Sequence, residues 1–161
     1  LGALPVLFRT FPDARVVVTH RDPVVAQASV TNLLGTLYWM RSGKAFDAGA
    51  FESLMTPESG AARLDGVIDL IESGMVPRAQ IHNFRYVDMI TDPLAALRTL
   101  YRDVGLELSD AALTGMHDYL AHKPQGKFGK HRYSVGQQEE NARKRALFRR
   151  YQEYFDCPDE T

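Results

Sequence analysis

The chain has 161 residues, 45% of them hydrophobic and 24% charged, which is the profile of one soluble globular domain spanning 1–161. A net charge of −1 argues against a general nucleic-acid binder. No apolar run approaches the roughly 18 residues that a membrane-spanning helix needs. Cys157 is the one cysteine and cannot form an internal disulfide, which fits a reducing compartment, and a cytoplasmic location is expected. Leu1 to Phe11 lack the basic start and the small-residue cleavage site of a signal peptide. The chain opens on Leu rather than Met, so it reads as the C-terminal portion of a longer protein.

Leu4, Leu7 and Phe8 fall at helical spacing and predict the end of an amphipathic helix, broken by Phe11-Pro12-Asp13-Ala14. Arg15 to Thr19 is a β-branched run bounded by turn signals, expected to be a buried strand. Asp22-Pro23 then supplies an N-cap and a first-turn proline for a helix running toward Trp39. A Gly- and Ala-rich stretch from Ser42 to Phe51 predicts a loop. Thr56-Pro57-Glu58 opens a second helix with Leu64, Val67, Ile68 and Ile71 on one face, punctuated by Gly74 and Pro77.

Ile81 to Tyr86 reads as a second strand. Asp92-Pro93 repeats the cap-plus-proline device for a helix stopped at Gly105, and Ser109 starts another through Leu120. The periodicity then vanishes from Lys123 to Gly136. A charged helix from Gln138 to Phe155 ends the pattern, with Leu147, Phe148, Tyr151 and Tyr154 on its apolar side. Strands separated by helices favour an α/β class with a parallel sheet, and two clear strands are too few for a complete one.

The most informative stretch is Thr19 to Ser29. In open α/β sheets, ligands collect outside the carboxyl ends of the strands. Arg21 sits at such an end, where its planar fork of donors suits a phosphate, and Ser29 adds a hydroxyl two helical turns on. On local chemistry alone the plainer reading stands beside this one. Arg-Asp-Pro is a common helix start, so Arg21 could form a surface salt bridge and Ser29 an ordinary helix contact. Lys123, Lys127, Lys130, His131 and Arg132 concentrate positive charge beside Gly126 and Gly129, as an anion-binding loop, a solvated basic one or a nucleic-acid patch.

Phe11 to Pro23 resembles the 3′-phosphate-binding segment of sulfotransferases that use 3′-phosphoadenosine-5′-phosphosulfate, closest to bacterial members. The resemblance implies that Arg21 and Ser29, eight residues apart, hold the 3′-phosphate. Phe84-Arg85-Tyr86-Val87-Asp88-Met89 is similar to the family's Tyr-Glu-Asp-Met/Leu segment, which implies that Tyr86 contacts the adenine. Val87 departs from the pattern by replacing the acidic residue. Lys127 to Ser134 resembles the late basic loop that closes over the same phosphate, implying roles for Lys127, Gly129 and Lys130. The fold so implied is α/β, a P-loop-like parallel sheet flanked by helices, whose N-terminal strand and 5′-phosphosulfate loop are not in this sequence.

The implied reaction moves a sulfuryl group from that donor to a hydroxyl or amine of a small-molecule, lipid or carbohydrate acceptor, without a metal. The segment that carries the general base in the family is also not in this sequence, so no catalytic residue is assigned, and these 161 residues by themselves are expected to be inactive. Two other classes remain: another P-loop-type nucleotide-dependent transferase or kinase, and a non-catalytic interaction domain of the same fold. Against a protein-kinase catalytic loop, Gln27 stands where His20-Arg21-Asp22 would require an Asn, and no Asp-Phe-Gly follows. Cys157, His117 and His122 lack metal-ligand spacing.

Overall fold

A computed structural model describes residues 2–47, 55–123 and 138–160. The elements in chain order are α1 (Leu4–Thr10), β1 (Val16–His20), α2 (Pro23–Ser42), α3 (Pro57–Glu72), a 3₁₀ turn (Arg78–Gln80), β2 (Ile81–Arg85), α4 (Tyr86–Thr91), α5 (Pro93–Val104), α6 (Asp110–His122) and α7 (Gln138–Phe155). They fall into two compact units. One holds α1, α2, α3 and α7; the other holds β1, β2 and α4 to α6.

Each predicted cap is present. Asp22 accepts from the Val24 N–H, Thr56 from Ser59, Asp92 from Ala95 and Ser109 from Ala112. Such side chains satisfy amide groups that the first helical turn leaves without intrahelical acceptors. The stops are equally local. Helix α2 runs three residues past Trp39 and ends where Gly43 takes φ 66°, and α5 ends at Gly105 with φ 73°. At Gly105 a Cβ would also lie 3.1 Å from Arg15 Nη1, the guanidinium that donates to the Val104 carbonyl. Both constraints select glycine there.

In the helical unit, α7 packs against α2 and α3. Phe148 is 1% exposed at the centre of a cluster with Val24 and Ala61, edged by Leu64 and Leu147. A Cβ on Gly60 would meet the Phe148 ring at 3.4 Å, ordinary van der Waals contact, so α3 runs directly against the aromatic here. Tyr151 and Phe155 continue the apolar face of α7, with ring centroids 5.1 Å apart. The polar side of α7 reaches α3 through Arg150, which pairs with Asp69 at 2.7 Å and Glu72 at 3.1 Å.

In the other unit, β1 and β2 pair in parallel, with Val16 opposite Ile81 and His20 opposite Arg85. A parallel pair cannot be closed by a hairpin, and α2 and α3 lie on the connection. The strand starts and ends one residue later than the sequence predicts. It is also half-exposed: Val18 and His20 are buried, while Val17 and Thr19 face outward. With two strands among the described residues, alternation rather than burial on both faces is what the pleat produces. Gln80 ties the start of β2 to the residues before β1, donating to the Ala14 carbonyl at 2.8 Å. Among the described residues no helix is long and apolar enough to cross a membrane.

Candidate functional site

Arg21 is the residue that follows β1, and Asp22 is the N-cap of α2. The Asp22 side chain is fully buried and uses both oxygens. Its Oδ1 accepts from the Val24 N–H at 2.9 Å. Its Oδ2 accepts from the Glu160 N–H at 2.8 Å and from Arg145 Nη2 at 3.2 Å. Arg145 also donates to Asp159, which accepts in turn from Gln152 at 2.8 Å. A buried carboxylate persists only when its charge and lone pairs are met, and here a helix amide, a guanidinium and a second amide meet them.

This scaffold fixes the backbone from which Arg21 projects. The Arg21 guanidinium faces the Glu160 carboxylate: Nε lies 2.9 Å from Oε1 and 3.1 Å from Oε2, and Nη2 lies 2.8 Å from Oε2. Both side chains are about three-quarters withdrawn from solvent, 29% and 22% exposed. The fork therefore grips a pair of oxygens side by side, the arrangement in which arginine binds carboxylate or phosphate. The salt bridge weighed as the plainer reading of Arg21 is present, and it takes an oxyanion geometry. Ser29 lies half-buried two turns into α2, on the same unit as Arg21.

Tyr86 belongs to the other unit, where it is the first residue of α4 rather than the last of β2. It lines an apolar groove of about 580 Å³ with Met89, Leu94, Leu97, Met116 and Tyr119. Next to it Arg85 pairs with Asp88 at 2.8 Å, so the acidic residue that this segment retains anchors the strand end. His20 is 1% exposed, with Nε2 3.0 Å from Asn83 Oδ1 on the neighbouring strand. Burial holds its imidazole below the usual pKa of 6.5, opposed in part by the Asn83 contact. A buried, hydrogen-bonded strand-end histidine is scaffold, as its position before Arg21 suggests. Lys127, Gly129 and Lys130 lie outside the described residues.

The structure thus joins Arg21 to Asp22, Arg145, Asp159 and Glu160. The last three escape sequence reasoning because they lie more than 120 positions away, in an ordinary charged helix and the segment after it. No local motif marks them.

Residues 1–110 match the profile of the Sulfotransferase family. The chain belongs to that family. Arg21, Ser29 and Tyr86 lie within the matched span; Lys127 to Lys130 lie beyond it. Two curated relatives, from Mycobacterium bovis and Mycobacterium tuberculosis, are each named omega-hydroxy-beta-dihydromenaquinone-9 sulfotransferase Stf3. Each is 28% identical over 136 residues, covering 83% of this chain and 34% of the relative. The chain therefore spans about a third of the length of these relatives. The crystal structure of sulfotransferase STF9 from Mycobacterium avium superposes with a TM-score of 0.66 at 24% identity, over 98% of this chain and 41% of that one. The chain thus has the α/β fold expected of it, a parallel sheet of P-loop-like type flanked by helices.

Proposed function

We propose that the protein to which this chain belongs transfers a sulfuryl group from 3′-phosphoadenosine-5′-phosphosulfate to an acceptor hydroxyl, and that these residues carry the 3′-phosphate and adenine side of the donor site within one sulfotransferase domain. The observation that carries the reading is the Arg21 fork. It follows a parallel strand in a chain of this family, and it is already aimed at two oxygens of an anion. A phosphate offers the same oxygen pair with more charge, so the fit is chemical as well as positional.

Arg21 would hold the 3′-phosphate in two parallel hydrogen bonds, and the Ser29 hydroxyl would donate to the same group. Tyr86 would lie against the adenine, with the groove that it lines providing apolar surface for the base. Lys127 and Lys130, with the backbone at Gly129, would add charge over the phosphate. Contacts so far from the transferred sulfur fix the donor's position, and their binding energy serves catalysis by orientation. For the acceptor, the names of the mycobacterial relatives favour a lipid-like alcohol over a carbohydrate.

Calorimetry on the full-length protein tests the donor site. Arg21→Ala is expected to weaken binding of adenosine 3′,5′-bisphosphate by about 1.5–3 kcal/mol, the usual scale for a hydrogen bond to a charged group. Ser29→Ala should cost less, and adenosine 5′-phosphosulfate, which lacks the 3′-phosphate, should bind much more weakly than the full donor. Wild-type affinity in both variants would overturn the assignment. Turnover with an omega-hydroxylated isoprenoid quinone, and none with sugar acceptors, is the result expected for the acceptor class.

A further inference from the structure

We infer that Glu160 determines which anions enter the site at Arg21, by holding its own carboxylate in the fork that an incoming phosphate must take. This inference rests on the reading of Arg21 as the 3′-phosphate anchor and adds to it a built-in competitor from the far end of the chain.

The geometry gives the carboxylate both of the positions that a phosphate would use. Arg21 Nε and Nη2 bind Glu160 Oε1 and Oε2 at 2.8–3.1 Å, the side-by-side fork of a two-oxygen anion. The competitor is also tethered. The Glu160 N–H is bonded to buried Asp22, whose other contacts are the first turn of α2 and Arg145. Glu160 and Arg21 are thus anchored to the same residue. The carboxylate stays within reach of the guanidinium at a high effective concentration whether or not the contact is made.

Displacement needs only side-chain rotation. Turning Glu160 away breaks the contact with Arg21 while the backbone bond to Asp22 holds the segment in place. The cost of that rotation is charged to every ligand, in the way that a site open for only a fraction of the time binds more weakly by that fraction. A singly charged ligand gains little over the carboxylate it replaces. A phosphate dianion gains more from the fork, and so passes a barrier that monoanions such as acetate do not. The pair is partly withdrawn from water, 29% and 22% exposed, so salt weakens the competition less than it would between two fully exposed charges.

The experiment compares wild type, Glu160→Gln and Arg21→Ala of the full-length protein, titrated with adenosine 3′,5′-bisphosphate. The glutamine keeps the shape and the backbone bond to Asp22 but gives up the charge. Glu160→Gln is expected to tighten binding roughly 3- to 10-fold, as a fork closed for most of the time becomes open. Acetate at rising concentration should compete measurably in that variant and not in wild type. The rate at which phenylglyoxal modifies Arg21, followed by mass spectrometry, should rise in the same variant, a reading independent of any nucleotide. Unchanged or weaker nucleotide binding in Glu160→Gln, with binding lost in Arg21→Ala, would overturn the competitor role and leave Arg21 as the anchor. Wild-type binding in Arg21→Ala would instead remove the anchor, and the inference with it.

Discussion

Asp22 offers the most direct test of how this site is built. Replacing it with alanine removes the cap on the Val24 N–H, a loss of about 0.5–2 kcal/mol in helices generally. It also strips the acceptor from the Glu160 N–H and from one Arg145 donor. Stripping a buried ion pair of one partner costs about 3–5 kcal/mol when the other is left alone. Arg145 keeps Asp159 and is 21% exposed, so its share is placed lower, at about 1–2 kcal/mol on that scale. Together these give about 1.5–4 kcal/mol, a fall in Tm of roughly 3–16 °C at the midpoint for a chain of this size. Urea denaturation of wild type, Asp22→Ala, Arg145→Met and the double variant isolates the pair, with a coupling of about 1–2 kcal/mol expected. Asp22→Asn keeps the acceptor for Val24 but sets a donor where Arg145 and the Glu160 N–H found an oxygen, and so separates the cap from those two contacts. A Tm within about 2 °C of wild type for Asp22→Ala, or no coupling to Arg145, would refute the view that this carboxylate ties the Arg21 turn to α7.

Two further outcomes follow from buried groups. Since burial lowers the folded pKa of His20 below 6.5, its contribution to stability is intact above pH 6.5. That contribution is lost as pH falls from 6.5 through the folded value, because the unfolded state then takes up the proton first. Urea denaturation at pH 7.5 and 5.5 should show a loss on acidification that is smaller in His20→Asn, and an identical loss in both proteins would count against the assignment. Phe148→Ala removes the ring at the centre of the helical unit and should cost about 3–5 kcal/mol by thermal denaturation. A loss under about 1 kcal/mol would mean that α7 does not pack on α2 and α3 as described.

What this sequence determines by itself is local. Asp22, Thr56, Asp92 and Ser109 announce their helices because a cap needs only an oxygen within three residues of the amide that it accepts. Gly74 and Gly105 announce stops because their positive φ is a property of one residue. The strand-then-helix order carried the α/β class, and Arg21 drew notice as an arginine at a strand end, where an open α/β sheet collects its ligands. Strand limits were less so: β1 slid by one residue and Tyr86 moved into a helix, because the pairing of Val16 with Ile81 and His20 with Arg85 set the ends. Burial of the strand was overestimated for a related reason, since the number of neighbouring strands is not written in five residues. Only the tertiary structure brought Glu160 and Arg145 to Arg21 and Asp22. An ion pair across more than 120 positions depends on where α7 docks, and that depends on Phe148 filling the space beside Val24 and Ala61. No periodicity or motif encodes such a meeting, because packing sums over the whole core whereas a motif is confined to its own turn.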